Sequence, residues 1–342
     1  MSTAQLSVPP SEVARAPREN TSGWPLIDRF AYVMCWAVGI GLCVIAVAIV
    51  LYMFVKGISY LHVGMLFESP APAQLQSQTG GFLDPIVGTL IVSTLGTLIA
   101  APLGVAIAAW LTEYGRPAWL ARAVESSVEI ISGAPSVVLA LFGLLIFAQS
   151  FLGFLSQTAS NGAVYGRSFI AASAVMAVLG LPLIVGATRE GLIQLPDRLR
   201  EASYALGRTR ATTIRRVLLP AIRPSIATGT VLCMGRIIGD TAIIRLLLGV
   251  SLTTQPVGGT PILGALRGTG STLTSYVYEN SPAGEGNAPQ KAYAAAFILL
   301  MLILLLNGLV TWITNRGAKD EPSGRSGLSR ALGALRFGGI EK

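Results

Sequence analysis

The chain has 342 residues, 52% of them hydrophobic and only 12% charged, with a mean hydropathy of +0.63. Soluble domains carry about 25% charged residues, so a water-soluble domain is excluded by its lack of polar surface. The net charge of +8 does not point to nucleic acid, because the basic residues sort into alternate segments between apolar runs, as the positive-inside rule requires.

Six apolar stretches come near or exceed the roughly 20 residues that a helix needs to cross a bilayer: 30–55, 86–111, 136–155, 168–187, 226–249 and 292–313. Taking the N-terminus as cytoplasmic, Arg15, Arg18, Arg29, Arg116 and Arg122 lie inside, followed by the run from Arg189 to Arg223 and the basic tail from Arg316. The outside segments hold only Lys56, Arg167, Arg267 and Lys291. The expectation is an all-α polytopic membrane protein with six transmembrane helices and both termini cytoplasmic. Residues 1–28 read as a flexible cytoplasmic lead, 29–315 as the membrane domain and 316–342 as a basic cytoplasmic tail. The first apolar stretch is too long and too far from the start for a cleaved signal peptide.

In chain order, the outside loop 57–84 carries turn signals at Ser69-Pro70-Ala71-Pro72 and Gly80-Gly81. The second span contains Pro102-Leu103-Gly104, which predicts a kink or break in its inner half. Gly133-Ala134-Pro135 predicts an interfacial helix that ends there, with Ser136 starting the next one. The inside loop of about 190–224 predicts two short helices, 197–206 and 209–218, separated at Gly207; Pro196-Asp197 starts the first and Thr209 caps the second. Outside, 271–278 predicts a short surface helix, and Leu328, Leu332 and Leu335 suggest a weak amphipathic helix in the tail. Cys35, Cys43 and Cys233 fall inside spans as packing residues, without disulfide or metal spacing, and His62 falls in a loop.

No lysine follows a glycine, so no phosphate-binding loop ending Gly-Lys-Ser/Thr is present, and no nucleophile–base or zinc-protease motif appears. The chain is not read as an enzyme, and energy must come from a partner or from an ion gradient. The inside loop reads Glu201-Ala202-Ser203, three residues, Gly207, nine residues, then Val217-Leu218-Leu219-Pro220. It resembles the EAA loop of the type I ABC importer permeases, Glu-Ala-Ala, three residues, Gly, nine residues, Ile-x-Leu-Pro, with Ser203 and Val217 as mild departures. The resemblance implies the type I importer permease fold and a coupling element that docks in a groove of an ATP-binding subunit. Glu201 is then the acidic contact, beside Ala202 and the hinge Gly207, with Arg208 and Arg210 flanking.

The fifth span contains Gly235-Arg236-Ile237-Ile238-Gly239-Asp240-Thr241-Ala242. On a continuous helix Arg236 and Asp240, four apart, share a face and can pair. A charge at the centre of a membrane helix costs about 2.5–3.5 kcal/mol even on the mild insertion scale, and such residues usually face a polar pathway. Arg236 offers a planar fork of donors suited to a tetrahedral oxyanion. Ionised Asp240 can only accept, which favours an anion that carries a proton; phosphate does so near neutral pH and sulfate does not. An interhelical structural ion pair is the alternative role. Arg245 is expected to snorkel or to meet a partner.

This motif, with Pro85-Ile86-Val87-Gly88-Thr89-Leu90, Glu113-Tyr114-Gly115, Gly133-Ala134-Pro135-Ser136 and Leu273-Thr274-Ser275-Tyr276-Val277-Tyr278, resembles the phosphate-specific (Pst) importer permeases, A-type more than C-type. The resemblance covers about residues 60–315. The family motif has Glu where this chain has Asp240. It implies a phosphate permease subunit in a bacterial cytoplasmic (inner) membrane, beside a C-type permease, two ATP-binding subunits and an extracytoplasmic phosphate-binding protein. ATP and Mg would sit in the partner subunits, with no cofactor bound by this chain. Arg236 and Asp240 would line the path, with Ser136 and Thr241 as candidate hydroxyl donors. The competing expectations are a permease for another oxyanion, molybdate or sulfate, and an ion-coupled secondary carrier.

Overall fold

The computed structural model describes residues 25–58, 60–61, 63–70, 80–156, 166–249, 261–282, 284 and 288–319. His62, residues 1–24 of the lead and residues 320–342 of the tail, with its three spaced leucines, lie outside the described residues. The chain divides into two units, Met1–Tyr52 and Met53–Lys342. The first holds most of helix α1 (Leu26–Gly57), which is apolar on all sides and has no buried residue in its most apolar stretch. A helix with no polar face is suited to lipid rather than to water.

The second unit contains α2 (Leu83–Glu113), α3 (Ala118–Gly133), α4 (Ser136–Phe147), α5 (Phe169–Ile193), α6 (Asp197–Ala205), α7 (Arg210–Thr213), α8 (Leu219–Ala221), α9 (Arg223–Gly239), α10 (Ala242–Leu248), α11 (Pro261–Arg267), α12 (Leu273–Asn280) and α13 (Pro289–Lys319). No strand occurs among the described residues. Helices α1, α2, α5 and α13 are each long and apolar enough to cross a bilayer. Two bent pairs complete the set: α3 with α4 at 110°, and the segment Arg210–Ala221 with α9 at 72°.

The structure changes three expectations about the spans. The third stretch is not one helix, because α4 has only 12 residues and a 3-10 turn, Ser150–Leu155, follows it. It enters instead from α3, turning where Pro135 forbids a continuing helix. The fifth stretch is broken between Gly239 and Ala242. Pro102, by contrast, does not break α2, which runs through it for 31 residues. Helices in a bilayer tolerate an interior proline when neighbours and local adjustment satisfy the freed carbonyl.

The core is the stack of α2 on α5 and α5 on α9, with Ala100, Ala172, Met176, Ile184, Cys233 and Ile237 fully buried. The helices approach so closely that a Cβ on Gly104 would lie 2.8 Å from Ile184 Cβ, and one on Gly180 would lie 2.3 Å from Cys233 Sγ. Small residues at such seams replace the hydrophobic drive that lipid removes. A second cluster stacks Tyr60 on Phe82 (6.3 Å, edge-on) and Phe82 on Tyr276 (5.5 Å, edge-on). Burial, and less so Tyr60, pushes the Tyr276 hydroxyl well above the usual phenol range; burial, then the charge of Glu68, raises Tyr60.

Candidate functional site

The loop between α5 and α9 folds as the two short helices expected, and Gly207 ends the first. Its φ is +73°, the left-handed region that favours glycine. Gly207 N–H donates to Tyr204 O (2.9 Å) and Arg208 N–H to Ser203 O (3.2 Å), the paired bonds of a Schellman C-cap. Thr209 then starts the second piece, its Oγ1 accepting the Thr212 N–H at 3.4 Å. Between α7 and α8, residues Ile214–Leu218 form one π-helical turn. Leu218 and Ile222 pack with Ala109 of α2 and Leu192 of α5, so the second half of the loop is anchored by apolar contact.

Helix α6 is held differently. Of its nine residues only Ser203 is buried. Thr213 donates its hydroxyl proton to Thr209 O (3.0 Å), so Ser203 is the donor to Thr213 Oγ1 across the two helices at 2.9 Å. The serine that departs from the alanine of the EAA pattern therefore has a structural use. The other fastening is Arg200, a residue that motif reading missed. Its Nε donates to Glu113 Oε1 of α2 (3.0 Å), one terminal nitrogen to Leu192 O of α5 (2.9 Å), and the other to Leu195 O (3.3 Å) and Asp197 Oδ1 (3.1 Å). The expected contact residues Glu201, Ala202, Gly207, Arg208 and Arg210 are all exposed. Leu206 beside them is 79% exposed. Nothing lies within 4 Å of the space above Gly207. This surface combines charge, an apolar side chain and an open backbone turn.

The second region is the break in the fifth stretch. Asp240 has extended backbone (φ −85°, ψ 120°), and its Oδ1 accepts the backbone N–H of Ile243 at 3.0 Å. Aspartate competes for backbone donors in this way and favours helix starts over helix interiors. The Ile238 carbonyl near the end of α9 accepts Thr274 Oγ1 of α12 at 2.7 Å. Thr272 and Ser275 cap α12 reciprocally. Thr89 of α2 ties its start by accepting the Leu273 N–H at 2.9 Å. Side chains thus satisfy backbone groups on both sides of the break, the Ile238 carbonyl and the Ile243 N–H.

The expectation that Arg236 and Asp240 pair on one continuous helix is not met. The helix ends between them, and among the described residues Arg236 makes no ion pair or side-chain hydrogen bond. Arg236 is exposed on the same face of α9 as Thr228 and Leu232, while Asp240 and Thr241 are half-buried. Ser136 opens α4, which packs on α10, but no hydrogen bond joins it to Arg236, Asp240 or Thr241. Arg245 does not await a partner: it pairs with Glu279 at 2.5 Å and lies 4.7 Å over the Tyr278 ring.

Comparison with known proteins places this architecture. The family described as "Binding-protein-dependent transport system inner membrane component" matches residues 100–319. The phosphate transport system permease protein PstA 1 of Mycobacterium tuberculosis is 31% identical, over 67% of this chain and 68% of its own. The phosphate transport system permease protein PstC of Xylella fastidiosa is 29% identical, over 66% of this chain and 69% of its own. Among solved structures, a bacterial alginate ABC transporter in complex with an alginate-bound periplasmic protein matches with a TM-score of 0.59 and 18% identity, over 85% of this chain and 96% of that one. That likeness establishes the all-helical permease fold. The chain belongs to the family of inner-membrane components of binding-protein-dependent transport systems and is a multi-pass membrane permease.

Proposed function

We propose that the chain is a permease subunit of an ATP-driven importer of inorganic phosphate, forming half of the translocation path. The observation that carries this reading is Arg236, a guanidinium without an ion-pair partner among the described residues, exposed on a membrane-spanning helix one turn before a break. Facing lipid, that charge would cost several kcal/mol; facing a polar path closed by a second permease, it supplies a fork of donors to an oxyanion. The similarity to PstA 1 and PstC supports phosphate as the anion and a two-permease assembly, with this chain in the A-type position beside a C-type partner.

In this reading Glu201, Ala202, Gly207, Arg208 and Arg210 form the face that docks on one of two ATP-binding subunits, which hold ATP and Mg and hydrolyse the nucleotide. An extracytoplasmic phosphate-binding protein delivers the anion. ATP-driven closure of the cytoplasmic subunits moves the docked helix pair and opens the path outward. The anion meets Arg236, with Thr241, Ser136 and the second carboxylate oxygen of Asp240 as further polar groups, and leaves inward on separation.

The test is uptake of labelled phosphate at low external concentration in a host lacking this chain, complemented with the native chain or with Arg236→Gln. Sulfate and molybdate in excess serve as competitors. Restored, sulfate-resistant uptake with the native chain and its loss with Arg236→Gln is the expected result. Uptake blocked by molybdate or sulfate instead would reassign the substrate to that oxyanion, a reading favoured to the extent that Asp240 is committed to Ile243.

A further inference from the structure

We infer that Arg200, with Glu113 as its anchor, is the positioning residue that ties the docking helix α6 to the membrane helices, so that it transmits the motion of ATP hydrolysis to the path. The inference rests on the proposed function and extends it to a side chain that does not touch the docking face.

Helix α6 presents its outward face to solvent and buries only Ser203, so apolar packing cannot hold it. The apolar cluster that anchors the loop is made by Leu218, Ile222 and their neighbours, all later in the chain. What fastens α6 is polar and lies on one side of the helix, at Arg200 and Ser203, three residues apart. Ser203 reaches only the other half of the same loop. Arg200 is the one of the two that reaches the membrane helices: the end of α2 through Glu113, the end of α5 through Leu192 O, and the connecting turn through Leu195 O.

The Arg200 side chain is 18% exposed and that of Glu113 only 7%, so the pair is shielded from water and salt compared with a surface bridge. A planar fork that satisfies four acceptors in fixed directions resists both translation and rotation, whereas an ammonium on a flexible stem behaves as a point charge. From Glu113 and Leu192 the connection continues through a seam that cannot compress, since α2 and α5 meet at Gly104 with no room for a methyl group and α5 meets α9 at Gly180. Helix α9 carries Arg236. Displacing α6 therefore moves α2, α5 and α9 together while the Arg200 fork is intact; without it α6 keeps only the indirect link through Ser203 and the second half of the loop.

The test uses the whole complex reconstituted in proteoliposomes, with the native chain, Arg200→Lys or Glu113→Gln. Arg200→Lys keeps the charge and loses the fork; Glu113→Gln keeps an acceptor oxygen and loses the charge. Expected is copurification of the ATP-binding subunits with both variants, ATP hydrolysis within about twofold of native, and phosphate moved per ATP reduced about tenfold, within the usual range of coupling between sites. A substrate-independent readout accompanies it: spin labels at Arg198→Cys on α6 and Leu98→Cys on α2, with the three native cysteines replaced. Their separation should stay constant between the nucleotide-free and ATP–vanadate states in the native background and change in both variants.

Native transport per ATP with an unaltered label separation in both variants would overturn the inference. So would loss of ATP hydrolysis in proportion to loss of the bound ATP-binding subunits, which would make Arg200 an assembly residue. Should the native complex move no phosphate while the labels behave as expected, the substrate assignment fails and the coupling role stands. Absence of any associated ATP-binding subunit would remove both.

Discussion

Asp240 has two separable properties, an acceptor oxygen and a charge, and two substitutions tell them apart. Asp240→Ala removes the acceptor for the Ile243 N–H, and Ile243 is fully buried, so no water replaces it. Orphaning a buried donor costs about 1–3 kcal/mol, in line with the loss of about 1 kcal/mol typical for a helix cap. Taking about 2 kcal/mol and the 2–4 °C per kcal/mol found for domains of 150–250 residues, the melting temperature of the purified chain should fall by roughly 4–8 °C. Asp240→Asn keeps an oxygen in the same place and asparagine caps as well as aspartate, so it should melt within about 1 °C of native. The charge is read separately: Asp240→Asn should narrow the preference for phosphate over sulfate in competition uptake, because the repulsion of an unprotonated dianion is gone. Melting measured by intrinsic fluorescence in detergent, and competition uptake in whole cells, give the two numbers. If Asp240→Asn melts as low as Asp240→Ala, the capping account is wrong. An unchanged anion preference in Asp240→Asn would leave Asp240 a purely structural residue.

Three further outcomes follow from the geometry. At Gly207, with φ +73°, Gly207→Val should cost about 1–2 kcal/mol of strain in the left-handed region and reduce ATP-dependent uptake, whereas Gly207→Asn should retain most of it; equal activity of the two would refute the backbone requirement. Ser203→Ala should cost about 1 kcal/mol and keep uptake, because Thr213 retains its bond to Thr209 O, but Thr213→Val, which orphans Ser203 in a buried site, should cost more in the same melting assay. Tyr60 and Tyr276 both titrate above the ordinary phenol value of about 10, so their contribution to stability is complete below that pH and is lost as pH rises through the raised values. With Glu68 and Lys291 as the charged neighbours, an absorbance titration of tyrosinate should show a late-ionising fraction that disappears in the Tyr60→Phe, Tyr276→Phe double variant.

The parts of this fold that depend on composition and local chemistry were legible from the residues alone. The long charge-free stretches became α1, α2, α5 and α13, because a run of apolar residues has one low-energy form in lipid. The Gly207 hinge and the Thr209 cap appeared where expected, since both follow from backbone preferences of single residues. Gly133-Ala134-Pro135 marked the end of α3 and the start of α4, but the bend angles were not legible, because hydropathy counts the length of a segment and is silent on its direction. Gly239-Asp240-Thr241 was a usable signal for the second break, a glycine followed by a strong capping residue, but four-residue spacing on an assumed continuous helix obscured it. Arg200 was hidden for another reason. Its meaning lies in Glu113, 87 positions away, and on sequence alone it was one arginine among eight in a basic loop.

In the proposed function, Arg200 and Arg236 put the same side chain to opposite uses. Both are guanidinium groups, but Arg200 stands on a short polar helix and Arg236 on a membrane-spanning one, and their surroundings differ accordingly. Arg200 has four of its five N–H donors filled by protein acceptors, so it acts as a joint. Arg236 has an exposed fork and no acceptor among the described residues, with glycines at 235 and 239 leaving open space beside it. An unfilled fork in a membrane helix is unstable unless an anion or water completes it. That need is what a transport site requires: binding strong enough to attract the anion, without the complete set of contacts that would hold it. Filling the fork with a designed neighbour, as Gly239→Asp would do by placing a carboxylate three residues from Arg236, should therefore abolish uptake while sparing assembly with the ATP-binding subunits.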